Sequence, residues 1–337
     1  MSKANAGKMG WHEFWERNKK SGGYLLRKKL TEVGVAFARF ILLFGMCFMI
    51  LQPILEKISV SLMSLDDVYN PVVISIPTKV ITENYKIAYG GMRYGQGIVN
   101  TLIVSLTIAL VQVAMCTLVG YGFARFEFPF KKFWFACVMV VILVPPQTIS
   151  TSLFLHFRFF DILGLSKLLT GETINLRNST LPYYLMSLGC TGLKNGLYIF
   201  LIRQFFRNIP GDLEEAAYVD GLGTFKTFIR IMLPEAKPII TSCFLFAFVW
   251  QWTDVFYTRM FLGGKVFLST SLSGFADGIG SYVGNASGAG QPVQLPPAQV
   301  NQLLSTAILL VIAPLIILYL FAQRAFVESI SSTGIKM

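Results

Sequence analysis

Long apolar runs, separated by polar segments, fill most of the chain after residue 33. A helix crosses the hydrocarbon core of a bilayer with about 20 apolar residues, and six runs approach that length. Backbone polar groups in lipid must be paired within their own segment, so each run is predicted to be a helix. The predicted spans are residues 34–55, 98–124, 133–155, 181–205, 237–257 and 303–322. The pattern therefore predicts an all-α, polytopic membrane protein with six transmembrane helices.

Polar or helix-breaking residues interrupt two of these runs. Pro145 and Pro146 lie inside the third run, where the missing amides and the ring clashes predict a kink. Lys194 and Asn195 interrupt the fourth run, which makes its limits the least certain of the six. Between the fourth and fifth runs lies a charged, helix-forming segment, residues 206–236, which we call the polar insert.

Charge distribution sets the predicted orientation. The chain has 337 residues, of which 54% are hydrophobic and 14% charged, and its formal net charge is +11. Basic residues concentrate before the first run: Lys3, Lys8, Arg17, Lys19, Lys20, Arg27, Lys28 and Lys29. Cytoplasmic flanks carry such an excess, so we expect a multi-pass protein of the cell membrane with both termini and the polar insert in the cytoplasm. The location of the charge beside the bilayer argues against a nucleic-acid partner.

Three regions follow from this pattern. Residues 1–33 are predicted to form a basic cytoplasmic N-terminal tail with an interfacial helix, because Trp11, Phe14 and Trp15 recur at helical spacing. Residues 34–324 form the transmembrane domain and include the polar insert. Residues 325–337 form a cytoplasmic C-terminal tail.

The polar insert is predicted to fold as a helix–turn–helix parallel to the membrane surface. Asp212 can cap the first helix, with Glu215 three residues later in the arrangement of a capping box. Gly221 and Gly223 can end that helix, because glycine takes the left-handed conformation at little cost. Thr224 can cap the second helix.

The predicted second helix ends at Pro234, and the first presents two small residues. Ala216 and Ala217 are expected on one small-residue face, which would let another protein approach closely. The alternative is an ordinary solvated loop, which needs neither caps nor paired alanines.

Several kinds of chemistry lack the residues they need. There is no G-x-x-x-x-G-K-[ST] phosphate-binding sequence, and the only histidines, His12 and His156, lie far apart in the chain. The five cysteines form no C-x-x-C pair and are read as buried thiols. We therefore predict no catalytic residues, no metal site and no cofactor.

The polar insert resembles the EAA loop of permease subunits in ATP-binding-cassette (ABC) importers. The matching positions are Glu215-Ala216-Ala217, Asp220-Gly221, Ile231 and Leu233-Pro234. The ending Gln323-Arg324 … Gly334-Ile335-Lys336 is similar to that of the MalG-like subunit of carbohydrate importers, although Met337 replaces the usual glycine. Trp252-Thr253-Asp254 is similar to a Trp-Asn-Asp/Glu signature of these permeases, with Thr253 replacing the asparagine.

This resemblance implies a subunit that moves a sugar, expected to be an oligosaccharide, by alternating access. The implied partners are a second homologous permease, two ATPase subunits and an extracytoplasmic solute-binding protein. Six residues of the insert are expected to couple the chain to those ATPases: Glu215, Ala216, Ala217, Asp220, Gly221 and Pro234.

Five residues are candidates for the substrate pathway. Charges within spans are costly and mark function, which singles out Lys194 and Asp254, and Gln147 adjoins the predicted kink. Trp250 and Trp252 can stack on sugar rings. Each has a plainer alternative: Asp254 can cap locally, Lys194 can lie at the outer interface, and boundary tryptophans are commonly membrane anchors.

Two other classes remain as alternatives. A secondary transporter driven by an ion gradient would need ionisable pairs inside its spans, where only Lys194 and Asp254 qualify. A membrane-embedded enzyme would need a nucleophile with a base and an orienting group, and the sequence shows no such set.

Overall fold

The computed structural model describes residues 11–161, 164, 167–168 and 171–334. The chain is 76% helical without strands in the described part, which confirms the all-α class. The helices, numbered in chain order, are α1 (Trp11–Lys20), α2 (Tyr24–Leu62), α3 (Leu65–Tyr69), α4 (Glu83–Gly91), α5 (Tyr94–Arg125), α6 (Lys131–Leu143), α7 (Ser150–Arg158), α8 (Leu181–Leu188), α9 (Asn195–Asn208), α10 (Asp212–Val219), α11 (Thr224–Thr227), α12 (Leu233–Glu235), α13 (Lys237–Thr253), α14 (Phe256–Leu262), α15 (Leu268–Ser273), α16 (Phe275–Ala286) and α17 (Pro297–Gly334).

Residues 1–59 form a first compact unit. Helix α1 occupies part of the predicted interfacial segment, while the first ten residues of the tail lie outside the described part. The buried side chain of Asn18 accepts a hydrogen bond from the Leu26 amide at 2.9 Å, which ties α1 to the start of α2. Helix α2 begins at Tyr24, well before residue 34, where the predicted first span starts.

Residues 60–337 form the second unit, whose core is built around α5. This helix packs against α9 and α13, and α13 packs in turn against α17. The contact residues are small or apolar, which permits close packing of apolar helices. Examples of buried side chains are Ala109, Ile202, Cys243 and Ala307.

Three helices in the described part are long and apolar enough to cross a membrane: residues 26–62 of α2, all of α5, and residues 297–323 of α17. The number rises to five if each of two bent helix pairs forms one span. In the first pair the chain bends by 98° after Leu143, where the kink was predicted at Pro145-Pro146. The six-span count stays a prediction.

The predicted continuous helix at residues 181–205 is wrong. Two helices occupy it, α8 and α9, separated by a turn. Cys190 and Lys194 adopt positive φ angles of 55° and 62° in that turn. Glycines at positions 189 and 192 and the polar Lys194-Asn195 pair favour a break over a single helix.

Helices also form between the predicted spans. The segment 56–97 contains α3 and α4, and the segment 258–301 contains α14, α15 and α16. Helix α17 continues to Gly334 and so includes residues 325–334 of the predicted C-terminal tail. Residues 335–337 lie outside the described part, and the three-region division stays a prediction.

Candidate functional site

The polar insert folds as two short helices with a tight turn between them. Helix α10 starts without the predicted side-chain cap on Asp212; instead the Gly211 carbonyl accepts the amides of Glu214 and Glu215, at 2.9 and 3.1 Å. Helix α11 likewise starts without a cap from Thr224 and continues as a π-helical turn, Phe228–Met232. Both predicted caps are wrong, because backbone carbonyls supply the acceptors that the side chains were expected to provide.

Gly221 shapes the turn between the two helices. Its φ angle is +80°, the left-handed region that glycine occupies without a Cβ penalty. The amides of Gly221 and Leu222 donate to the carbonyls of Tyr218 and Ala217, at 3.0 and 2.9 Å, which is the hydrogen-bond pattern of a Schellman motif. Gly223 has a φ of −76°, so its backbone conformation does not require glycine.

The two alanines of the insert face opposite ways. Ala217 is buried, with 2% of its surface exposed, whereas Ala216 is exposed. The predicted shared alanine face is therefore wrong: adjacent helical positions are separated by about 100° of rotation, which here turns one inward and one outward. Glu215, Asp220 and Pro234 are exposed with Ala216.

Glu214 attaches the insert to the core. Its Oε1 accepts a hydrogen bond from the Tyr121 hydroxyl at 2.7 Å, and its Oε2 lies 3.0 Å from Nε of Arg125. Arg125 also donates to the Ile209 carbonyl at 2.7 Å. The carboxylate is largely buried, so the ion pair and the hydrogen bond offset its desolvation. Sequence reasoning missed Glu214; the available signal was Tyr121 and Arg125 four residues apart at the end of an apolar run.

Several exposed apolar side chains form what we call the apolar patch of the insert. Its exposed side chains are Leu213, Tyr218, Val219, Phe225 and Ile229. Val219 is the most open of them, at 87% exposure. Glu215 and Asp220 border this patch in the sequence, and both are exposed. Clustered apolar side chains with a polar border mark interaction surfaces.

A second site lies at the break after α6. A cavity of about 540 Å³ is lined by Gln147, Lys194, Trp250 and Asp254, together with apolar neighbours. Nζ of Lys194 lies 5.0 Å from the centroid of the Trp250 ring, a cation–π distance. Four of the five predicted pathway residues are thus brought together, from three separate parts of the sequence.

The remaining contacts assign Asp254 and Trp252 structural roles. Asp254 accepts hydrogen bonds from the Tyr183 hydroxyl at 2.8 Å and from the Thr258 amide at 3.0 Å, and so holds the start of α14. Trp252 is only 1% exposed and donates from its indole to the Val311 carbonyl at 3.3 Å. Trp252 therefore belongs to the core and does not line the cavity.

Within the described residues, no group of three or more His, Cys, Asp or Glu side chains could hold a metal ion.

The bundle of apolar helices with an exposed insert defines a multi-pass membrane transport subunit. A sequence profile described as "Binding-protein-dependent transport system inner membrane component" matches residues 116–332. This match covers more than half of the chain, which therefore belongs to that family, the permease components of ABC importers. The chain is a transport subunit associated with ATPase and solute-binding partners, and it is not an enzyme.

Individual relatives agree with this family. A probable ABC transporter permease of Pyrococcus horikoshii is 30% identical over 188 residues, 55% of this chain and 62% of that protein. A maltodextrin transport system permease of Streptococcus pneumoniae is 24% identical over 92% of this chain and 98% of that protein. The fold resembles a chain in the crystal structure of a bacterial ABC transporter that imports the polysaccharide alginate, with a TM-score of 0.66, 18% identity and coverage of 88% and 98%.

Proposed function

We propose that this chain carries an oligosaccharide across the membrane by alternating access, driven by partner ATPases. The observation that carries the proposal is the near full-length similarity to a maltodextrin permease. A trehalose transport permease of Mycobacterium tuberculosis, 24% identical over 77% of this chain, supports the same class of solute. These relatives are permeases of transport systems of this family and give the ion-gradient alternative no support.

We propose that the polar insert docks on the ATPases. Glu215, Ala216 and Asp220 would contribute the exposed surface beside the apolar patch, and Ala217 would pack the insert inward. Gly221 would set the angle between the two helices, and Pro234 would stiffen the bend of 75° into α13. The Glu214–Arg125 pair would transmit movement of the insert directly to α5.

The cavity at the break after α6 is our candidate for part of the substrate pathway. Trp250 is 45% exposed and offers a ring face, while Lys194 and the exposed Gln147 offer hydrogen-bond donors. Aromatic faces with a few polar groups suit sugar rings, which carry apolar C–H faces and hydroxyl edges. Asp254 would keep this wall in shape, and the second permease subunit would supply the opposite wall.

The proposed arrangement has both termini and the insert in the cytoplasm, and one homologous permease beside this chain. Two ATPase subunits would bind below, and an extracytoplasmic binding protein would deliver the solute from outside. The positive charge before the predicted first span supports this orientation.

Reconstitution tests the function directly. The complete importer, in proteoliposomes with its binding protein, should take up a labelled maltodextrin or another member of an oligosaccharide panel only when ATP is present. Uptake that needs no ATP, and that stops when an ionophore collapses the ion gradients, would contradict the proposal.

A further inference from the structure

A basic cleft lies beside the polar insert, at the end of the bundle where α5 finishes. It has a volume of about 660 Å³ and opens between the end of α5, the start of α6 and the last turns of α9. Four basic side chains line it against the single carboxylate of Glu127: Lys131, Lys132, Arg203 and Arg207. The cleft shares no lining residue with the cavity at the break, and it includes none of the apolar patch residues of the insert.

The positive charges of the cleft are only partly matched by this chain. Nζ of Lys131 lies 2.8 Å from Oε1 of Glu127, so that pair is neutral. Arg203 stacks on the Phe135 ring, 3.9 Å from its centroid, and keeps its charge. Within the described part of the chain, Lys132 and Arg207 have no acidic partner. The cleft therefore has an excess of positive charge and room for an anion.

The surroundings of the cleft indicate the level of the lipid headgroups. Phe130, Phe133 and Trp134 are 78%, 60% and 53% exposed on the first turn of α6 and the residue before it. Aromatic side chains concentrate where the hydrocarbon core meets water. Helix α5 ends at Arg125, and Arg125 pairs with Glu214 of the insert. The membrane-spanning part of α5 therefore ends at this level.

We propose that this cleft binds the headgroup of an anionic phospholipid, in the leaflet on the side of the insert. The planar guanidinium groups of Arg203 and Arg207 suit phosphate oxygens, with Lys132 as an additional point charge. The exposed aromatic side chains would lie along the acyl chains. Basic clefts between transmembrane helices are a known form of lipid headgroup site. A bound lipid would brace the helix ends that carry the insert.

Lipid retention by the purified importer tests this proposal. The assembled complex is exposed to equal amounts of phosphatidylglycerol and phosphatidylcholine in detergent, and the retained lipids are counted by native mass spectrometry. The wild type should retain phosphatidylglycerol preferentially. Lys132→Gln combined with Arg207→Gln should weaken that retention by about fivefold for each charge removed.

Two further variants keep the test decisive. Glu127→Gln removes the competing carboxylate and frees Lys131, so phosphatidylglycerol retention should hold or rise. Lys19→Gln combined with Lys20→Gln removes the same charge from exposed positions in the first unit, and retention should not change. This control separates a built site from general attraction between a basic protein and an anionic lipid.

Three results would overturn the proposal. The first is equal retention of the two lipids by the wild type, and the second is undiminished phosphatidylglycerol retention by the Lys132/Arg207 variant. The third is a loss of phosphatidylglycerol retention in the Lys19/Lys20 variant as large as that in the Lys132/Arg207 variant. If the Lys132/Arg207 variant instead loses its ATPase subunits while keeping phosphatidylglycerol, the cleft binds an acidic protein segment and the lipid assignment is wrong.

Discussion

Adjacent glutamates in the insert have different surroundings and should have different roles. Glu214 is buried against Tyr121 and Arg125, while Glu215 is exposed. The sequence presents them as equivalent neighbours, because the rotation of α10 is fixed only when it packs on α5. The exposure of Glu215 could therefore be predicted from the motif. Only the structure shows that Glu214 attaches the insert to the end of α5.

We expect Glu214→Ala to destabilise the importer and Glu215→Ala to leave its stability nearly unchanged. The first change leaves the Arg125 charge without its partner, a loss on the order of 3 kcal/mol for a buried pair. The second removes an exposed side chain, worth about 0.5 kcal/mol or less. Thermal unfolding of the purified complexes measures this, with ATPase co-purification as a second readout. Equal melting temperatures for the two variants would contradict the assigned roles.

Gly221 and Gly223 provide a matched pair for the turn of the insert. Gly221→Val forces a β-branched residue to a φ of +80°, a strain of about 1–3 kcal/mol. Gly223→Val has an open surrounding and a φ of −76°, which valine adopts readily. We expect solute-stimulated ATP hydrolysis to fall in the first variant only. Wild-type hydrolysis by the Gly221 variant would show that the turn geometry does not matter for coupling.

Substitutions of Trp250 and Trp252 should have different effects, the first on transport and the second on stability. Trp250→Ala removes a ring that is 45% exposed and lines the cavity, so uptake should fall while the complex stays assembled. Trp252→Ala leaves a hole in the core, with a cost of about 3–5 kcal/mol, so the amount of folded protein should fall. Size-exclusion profiles and uptake per folded complex measure both effects. Full uptake by the Trp250 variant would remove this ring from the pathway.

At the level of elements, the outer segment before α17 is more ordered than its composition suggests. After α16, the chain turns at residues 287–290 and runs back along the helix, where the Val293 amide donates to the Gly280 carbonyl at 3.1 Å. A Cβ on Gly284 would collide with the Gln291 carbonyl, so only glycine permits this approach. Asn285 to Gln291 are exposed at the tip. We propose that this tip contacts the solute-binding protein, because it is exposed and lies in a segment separate from the insert.

Gly284→Val should push the returning segment off α16 and lower solute uptake. Gly278→Val in the same helix has open space around it, so it carries the same helix-propensity cost without the collision. Binding-protein-stimulated ATP hydrolysis and uptake, measured together in proteoliposomes, check the expectation. The position of the tip would be irrelevant if both variants transported equally well.

Helices were predictable from the sequence where a long apolar run was enough to define them. The runs around α5 and α17 gave helices at the expected places, and Pro145-Pro146 gave the bend. The turn between α8 and α9 was marked only by Lys194-Asn195, because apolar character alone does not distinguish one long helix from two short ones. Helices α3, α4, α15 and α16 pack against α17, and α4 and α15 also pack against α5, which no local pattern reveals.

In the whole molecule, one helical core connects the insert with the cavity. The insert is fixed to the end of α5 by Glu214, and α5 packs against both α9 and α13. Lys194 lies beside the start of α9, and Trp250 lies near the end of α13. We therefore propose that movement of the insert reaches the cavity through these packed helices.

In-cell photo-crosslinking tests the central claim most directly, that the exposed surface of the insert binds the cytoplasmic ATPases. A photoreactive amino acid replaces Val219, which is 87% exposed, and a matched variant carries it at Ser287 on the outer tip. We expect an ATPase adduct from position 219 and none from position 287, where an adduct with the binding protein is expected. An ATPase adduct from position 287, or a binding-protein adduct from position 219, would contradict both the coupling role of the insert and the orientation of the chain.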